Sequence, residues 1–146
     1  MATSSRLAVL AAPPPATGMR IRLVGLLAAG HASTLATAGH AVSTDAYVEY
    51  ASLATSDLLV LATCPPEPPA WMLIRALRQR SRVPMLALVP EATAGDRCRV
   101  LDVGGDGCLD VACSEAELLT GVDLVLRDSA ACHDGGRWWR AAGAGG

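Results

Sequence analysis

Leu58-Leu-Val-Leu-Ala-Thr63 and Met85-Leu-Ala-Leu-Val89 are the stretches whose reading decides the fold. Each is a short, continuous apolar run with turn-forming residues around it. A half-exposed strand alternates apolar and polar residues, whereas a strand buried on both faces of a parallel sheet does not. Between the two runs lie Pro65-Pro66-Glu67-Pro68-Pro69 and then Ala70–Arg80, where Trp71, Ile74 and Leu77 recur at helical spacing. Beyond Met85–Val89, the sequence predicts a helix over Thr93–Val103, stopped by Gly104-Gly105, and a short strand at Gly107–Asp110. Ser114 is placed as an N-cap, with Glu117 at the capping-box position of a last helix ending near Leu126. Strand alternating with helix predicts an α/β protein with one parallel sheet covered on both faces.

The amino-terminal part admits two registers. In the first, Leu7–Ala12 is the opening strand, Thr17–Ala29 an amphipathic helix, Ser33–Thr37 a second strand and Asp45–Ala54 a second helix. In the other, Ile21–Leu26 is the first strand and Ala41–Thr44 the second. From Asp128 to Gly146 the periodicity stops, and the segment reads as a linker or tail, so 1–127 is expected to form one domain.

Composition narrows the chemistry. At 146 residues, with 51% apolar and 18% charged, the chain is long and apolar enough to bury a core. Phe is absent, so that core must be built from Leu, Val, Ala and Ile. All twelve basic residues are Arg. Without lysine there is no Schiff-base chemistry and no P-loop lysine. A net charge of −2 with scattered Arg gives no nucleic-acid footprint, so DNA contact is expected only through an additional domain. Arg75 and Arg78 are expected on a solvated helix face. No apolar run approaches the ~18 residues of a membrane span. Cys64, Cys98, Cys108, Cys113 and Cys132 form no CxxC pair, and His31, His40 and His133 are dispersed. Reduced thiols in the cytoplasm, with no metal or other cofactor, are the expectation.

Ligands in open parallel sheets gather at the carboxyl ends of the strands. Here those ends offer Ala11, Ala12, Ala62 and Val89, none able to act as acid, base or metal ligand. GxGxxG after the first strand, GxxxxGK[ST], GxSxG and HExxH are all absent, which argues against an enzyme. Gly104-Gly105-Asp106-Gly107 follows a helix and precedes a strand, the wrong order for a phosphate cradle, and reads as a turn. Asp45, Glu49 and Asp57 are better explained by a helix face and a strand cap than by a carboxylate cluster. Cys64 has no sequence neighbour to depress its pKa. Trp138-Trp139, in a Gly-rich tail, either dock on a surface or lead into a further segment.

Asp57-Leu-Leu-Val-Leu, Leu73-Ile-Arg-Ala-Leu-Arg78, Val83-Pro-Met-Leu-Ala-Leu and Gly107-Cys-Leu-Asp-Val-Ala-Cys-Ser-Glu-Ala-Glu-Leu-Leu119 follow one another in an order that resembles a response-regulator receiver domain, closest to the NarL/LuxR-type branch. The resemblance covers about residues 6–127 and implies a flavodoxin-like, doubly wound sheet of five parallel strands. It also implies a Mg²⁺-binding acidic pair, an acceptor Asp, a hydroxyl residue and a lysine. Carried onto this chain, the acidic pair falls on Ala11 and Ala12, or on Leu26 and Leu27 in the other register. The acceptor falls on Ala62, the hydroxyl on Val89, the aromatic switch on Cys108 and the lysine on Val111. None is an oxygen ligand of the kind Mg²⁺ demands.

The expectation is therefore a degenerate, phosphorylation-independent pseudo-receiver. It would act as a signalling and dimerisation module of a transcriptional regulator, paired with itself or with a partner protein. The resemblance places its interface on Asp96, Arg97, Arg99, Asp106, Glu115 and Glu117, with apolar help from Val100 and Leu118. Alternatives are a sensor whose vacated pocket takes an apolar small molecule, and an enzyme on the same sheet.

Overall fold

A computed structural model describes residues 18–63 and 67–133, with no side-chain account of Leu26 or of 129–133. Five strands form one sheet: β1 (Arg20–Val24), β2 (Ala41–Asp45), β3 (Leu58–Leu61), β4 (Met85–Val89) and β5 (Gly107–Asp110). Their order is β2-β1-β3-β4-β5 and every neighbouring pair is parallel. The crossovers carry α1 (Leu26–Ala29), α2 (Ala32–Thr37), α3 (Tyr50–Leu53), α4 (Ala70–Arg78) and α5 (Ala94–Asp102), and α6 (Glu115–His133) follows β5. This is the parallel sheet that the alternating pattern predicts, in the flavodoxin-like, doubly wound order that the resemblance implies.

The apolar runs owe their continuity to two cores. On one face Ile21, Leu23, Leu58, Val60, Ala62, Leu86 and Leu88 pack against Ala28 and Leu35 of α1 and α2 and against Leu118, Val122 and Val125 of α6. On the other face Val24, Leu59, Leu61, Met85 and Ala87 meet Leu53, Ala70, Ile74, Leu77 and Val100 from α3, α4 and α5. Alternate residues of one strand thus serve opposite cores, so no polar position remains in β3 or β4. Trp71 is only half-buried, and Ala70 takes the place expected for it in the α4 stripe.

The second amino-terminal register is the one adopted. Arg20–Val24 is a strand and not part of a helix over Thr17–Ala29, and Ser33–Thr37 lies in α2 and not in a strand. Asp45–Ala54 divides between the end of β2 and the single turn of α3. The apolar spacing at Met19, Leu23, Leu26 and Leu27 suits a helix. It is overridden because Ile21, Leu23 and Val24 fill both cores when extended between β2 and β3. Leu7–Ala12, with Ala11 and Ala12, lies outside the described residues.

The helix ends conform to local rules. Ser114 caps α6: its Oγ accepts from the Glu117 amide at 3.1 Å and donates to Glu117 Oε1 at 3.2 Å. Thr93 and Asp96 form a reciprocal capping box on α5. At the far end of α5, Gly104 has φ +102, and its amide and that of Gly105 reach back to Leu101 and Val100. The glycine cluster is a C-terminal turn, as expected. α6 continues past Leu126 to His133, into the stretch read as tail.

At the amino end of the sheet, Asp57 holds β1 beside β3. Its carboxylate accepts from the Arg20 amide at 2.7 Å and from the Arg20 guanidinium at 3.2 Å. The bonds from Arg20 hold the Asp57 carboxyl below the usual carboxylate range. A depressed folded-state pKa contributes stability above the unfolded value and loses it as pH falls. Acid titration of Asp57→Asn should therefore show a shallower loss of melting temperature below the carboxylate range than the parent chain; parallel curves would refute the assignment.

Candidate functional site

The carboxyl edge of the sheet is where the sequence reading places any chemistry, and the backbone closes it there. Gly25 follows β1 with φ +101, a conformation side chains rarely adopt. A Cβ built on Gly25 would lie 1.9 Å from the carbonyl oxygen of Ala62, so the turn after β1 rests directly on the end of β3. The Ala62 amide donates to the Val24 carbonyl at 2.9 Å, and the Gly25 amide donates to that of Asp45 at 2.9 Å. Ala62 itself is fully buried.

The other strand ends are joined in the same way. The Val111 amide donates to the Val89 carbonyl at 3.0 Å. His31 Nε2, from the turn between α1 and α2, lies 2.8 Å from the Val111 carbonyl, so it carries the proton and donates. Asp110 spans two loops, accepting from the amides of Ala92 at 3.3 Å and Ala112 at 2.9 Å. The sequence reading missed Asp110 and His31. A carboxylate at the end of β5, two residues before a predicted loop residue, was the available signal for the first.

Ala62, Val89 and Val111 occupy the carboxyl ends of β3, β4 and β5, and Cys108 lies on β5 beside Ala87. Leu26 and Leu27 begin α1, while Gly25 takes the first place after β1. Cys108 packs partly into the second core, and burial pushes its thiol pKa up, as it does that of Cys113. Among the described residues, no three His, Cys, Asp or Glu side chains converge as a metal-ligand set. Asp45 and Asp57 do not converge either: Asp45 pairs with Arg22 and Asp57 with Arg20. Cys64 and Trp138-Trp139 lie outside the described residues.

Of the interface residues, Arg97, Arg99 and Glu115 are exposed and Asp96 is half-exposed. Val100 and Leu118 are not available to a partner: they are 1% and 0% exposed and complete the two cores. Leu101, 54% exposed and one helical turn from Arg97, is the apolar group that α5 does present. Asp106 is partly buried against Arg78, whose side chain is no solvated face. The Arg78 guanidinium donates to the carbonyls of Gly104, Ser81 and Val83 and to Asp106 Oδ2 at 2.8 Å.

Among the described residues, an opening lies on this edge, displaced by a strand from the closed crevice. A cavity of about 350 Å³ lies between the ends of β3 and β4 and the starts of α4 and α5. Leu88, Val89, Pro90, Pro69, Trp71 and Val100 supply apolar wall, and Thr63, Glu67 and Asp96 the polar groups. The Arg99 guanidinium stands 5.4 Å from the centre of the Trp71 ring, linking α5 to α4 beside it.

No protein-family model matches the sequence, and no curated protein matches it significantly. Solved structures do. A two-component response regulator of the LuxR family from Aurantimonas sp. SI85-9A1 superposes with a TM-score of 0.66 at 21% identity, over 77% of this chain and 86% of that one. The N-terminal domain of a response regulator/sensory box/GGDEF protein from Carboxydothermus hydrogenoformans gives 0.64 at 21% identity, over 77% and 97%. A CheY-like receiver domain protein from Methanospirillum hungatei JF-1 gives 0.63 at 16% identity, over 77% and 96%. At such identities the likeness is one of fold: the chain has the fold of response-regulator receiver domains.

Proposed function

We propose that this chain is a phosphorylation-independent pseudo-receiver, a signalling and dimerisation module of a transcriptional response regulator. The observation that carries the reading is the contact of Gly25 with Ala62. Where the resemblance calls for an acceptor carboxylate beside a metal-binding pair, this chain has a buried methyl group under a backbone turn. A methyl cannot accept a phosphoryl group. A hydrocarbon-lined strand end also avoids the repulsion of several carboxylates held together without a cation.

The domain would then report through association, on its own or beside a DNA-binding domain elsewhere in the regulator. Arg97, Arg99, Asp96 and Glu115 form its polar rim and Leu101 its apolar contact. Exposed ion pairs contribute only about 0–1 kcal/mol each, so Leu101 matters more than the charges. Leu101→Glu should shift a dimer to monomer across an ultracentrifugation concentration series and leave the melting temperature within a few degrees. A parent chain that is monomeric throughout would remove the dimerisation part of the reading.

Incubation with acetyl phosphate and Mg²⁺ followed by intact-mass measurement tests the main part. The expected result is an unchanged mass. A stoichiometric phosphoryl adduct that hydroxylamine releases, as it does an acyl phosphate, and that maps to a carboxylate at the strand ends would overturn it.

A further inference from the structure

We propose that the cavity between the ends of β3 and β4 and the starts of α4 and α5 binds an apolar small molecule that carries no negative charge. The site differs from the closed crevice beside Ala62 and stands independently of the signalling reading. Its volume, about 350 Å³, falls within the ~300–1,000 Å³ of small-molecule pockets. The walls are hydrocarbon and indole, with few polar groups, which is the usual composition of such sites.

Three proline-bearing segments make the site pre-formed. Pro69 stands at the N-cap of α4 with φ −61 and Pro90 follows β4, and both line the cavity. Their rings fix the backbone on two sides, so little ordering entropy is lost when a ligand enters. The third, Val83-Pro84, sets the start of β4, whose far end supplies Leu88 and Val89.

Electrostatics select the ligand's charge. Among the described residues, Glu67 and Asp96 both line the cavity and no basic residue does. Asp96 is kept ionised because the backbone amide and then the hydroxyl of Thr93 donate to it. Two helix starts, each with about half a positive charge, and the Arg99 guanidinium over the Trp71 ring oppose these carboxylates. The carboxylates stand in the wall and the guanidinium outside it, so the mouth disfavours anions and admits neutral or cationic molecules. A neutral ligand also finds a hydroxyl at Thr63 and the start of α4, which has no side-chain cap.

Occupancy would be felt beyond the cavity. Trp71 on α4 and Asp96 and Val100 on α5 share the wall, so a ligand touching both helices biases their spacing. α5 is the helix that presents Arg97 and Leu101 outward.

The test uses three probes with one aromatic body: 2-naphthol, 2-naphthylmethylammonium and 2-naphthoate. Each is titrated into the full chain at neutral pH by calorimetry and by backbone-amide NMR. The naphthol and the ammonium should bind saturably, with shifts centred on Thr63, Ala70, Trp71, Leu88, Val89 and Asp96, and the naphthoate about ten-fold more weakly or worse. Glu67→Lys, an exchange in a loop, should raise naphthoate affinity and lower that of the ammonium, each by more than it changes that of the naphthol. Val89→Trp should fill the cavity and abolish binding of all three. Naphthoate binding as tightly as naphthol, shifts centred elsewhere, or no saturable binding by any probe would each overturn the proposal.

Discussion

Replacing Gly25 by aspartate is expected to unfold the protein and not to rebuild an acidic pocket. The substitution puts a Cβ 1.9 Å from the Ala62 carbonyl oxygen, on a residue whose φ is +101. The first effect forces backbone apart and the second strains a residue in a region reserved for glycine; each costs about 1–3 kcal/mol, and a buried carboxylate adds to them. Gly25→Ala isolates the steric part and should lower stability by about 2–6 kcal/mol in a chemical denaturation series. Ala62→Asp meets a different obstacle, a fully buried position in the first core, and should be destabilised by desolvation without the backbone clash. Neither variant should gain a Mg²⁺-dependent phosphoryl adduct. A folded Gly25→Asp protein with parental stability would show that the turn after β1 can lift from β3 and that the crevice is not closed.

The sequence announces the carboxyl-terminal half of the sheet more plainly than the amino-terminal half, and the reason is physical. Leu58–Leu61 and Met85–Val89 are buried on both faces, so every residue is apolar and no helical period competes. β1 and β2 lie toward the edge of the sheet. β1 carries Arg20 and Arg22 between its apolar residues, and β2 reads Ala-Val-Ser-Thr-Asp with no buried position. A local pattern of that kind fits a helix as well as a strand; only pairing with β3, a contact between residues distant in sequence, settles it. The same limit applies to the site. That Ala62 cannot accept a phosphoryl group is legible from residue type, whereas the closure of the crevice over it is not. Closure depends on Gly25, which looks like any loop glycine until its approach to β3 is known. Val100 and Leu118 were misassigned to a surface for a related reason: one position along a helix separates the core stripe from the outward face, as Val100 and Leu101 demonstrate.

The amino end of the sheet has its own weak point, and Arg78→Ala is the substitution expected to find it. The guanidinium bonds to three carbonyls on either side of β4 and to the Asp106 carboxylate. Asp106 in turn accepts from the Met85 amide at 2.8 Å, so the pair fixes where β4 and β5 begin. Burial pushes the Asp106 pKa up, against the lowering effect of the Met85 amide and Arg78. Removing the arginine leaves a poorly solvated carboxylate without its cation and orphans three carbonyls. That type of loss costs about 3–5 kcal/mol, a fall of more than about 10 °C in melting temperature for a domain of this size. The sign of the pH response follows from the direction of the shift. An acid whose folded-state pKa is raised gives its contribution below the unfolded value and loses it as pH rises through the folded one. Arg78→Ala raises that pKa further, so the variant should regain part of its deficit on passing from neutral to mildly acidic conditions. Adding Asp106→Asn should remove that pH-dependent recovery and make the double variant less unstable at neutral pH than the two single losses summed. Additive losses with parallel pH curves would show that the two side chains stabilise the strands separately, and that Arg78 acts through the carbonyls alone.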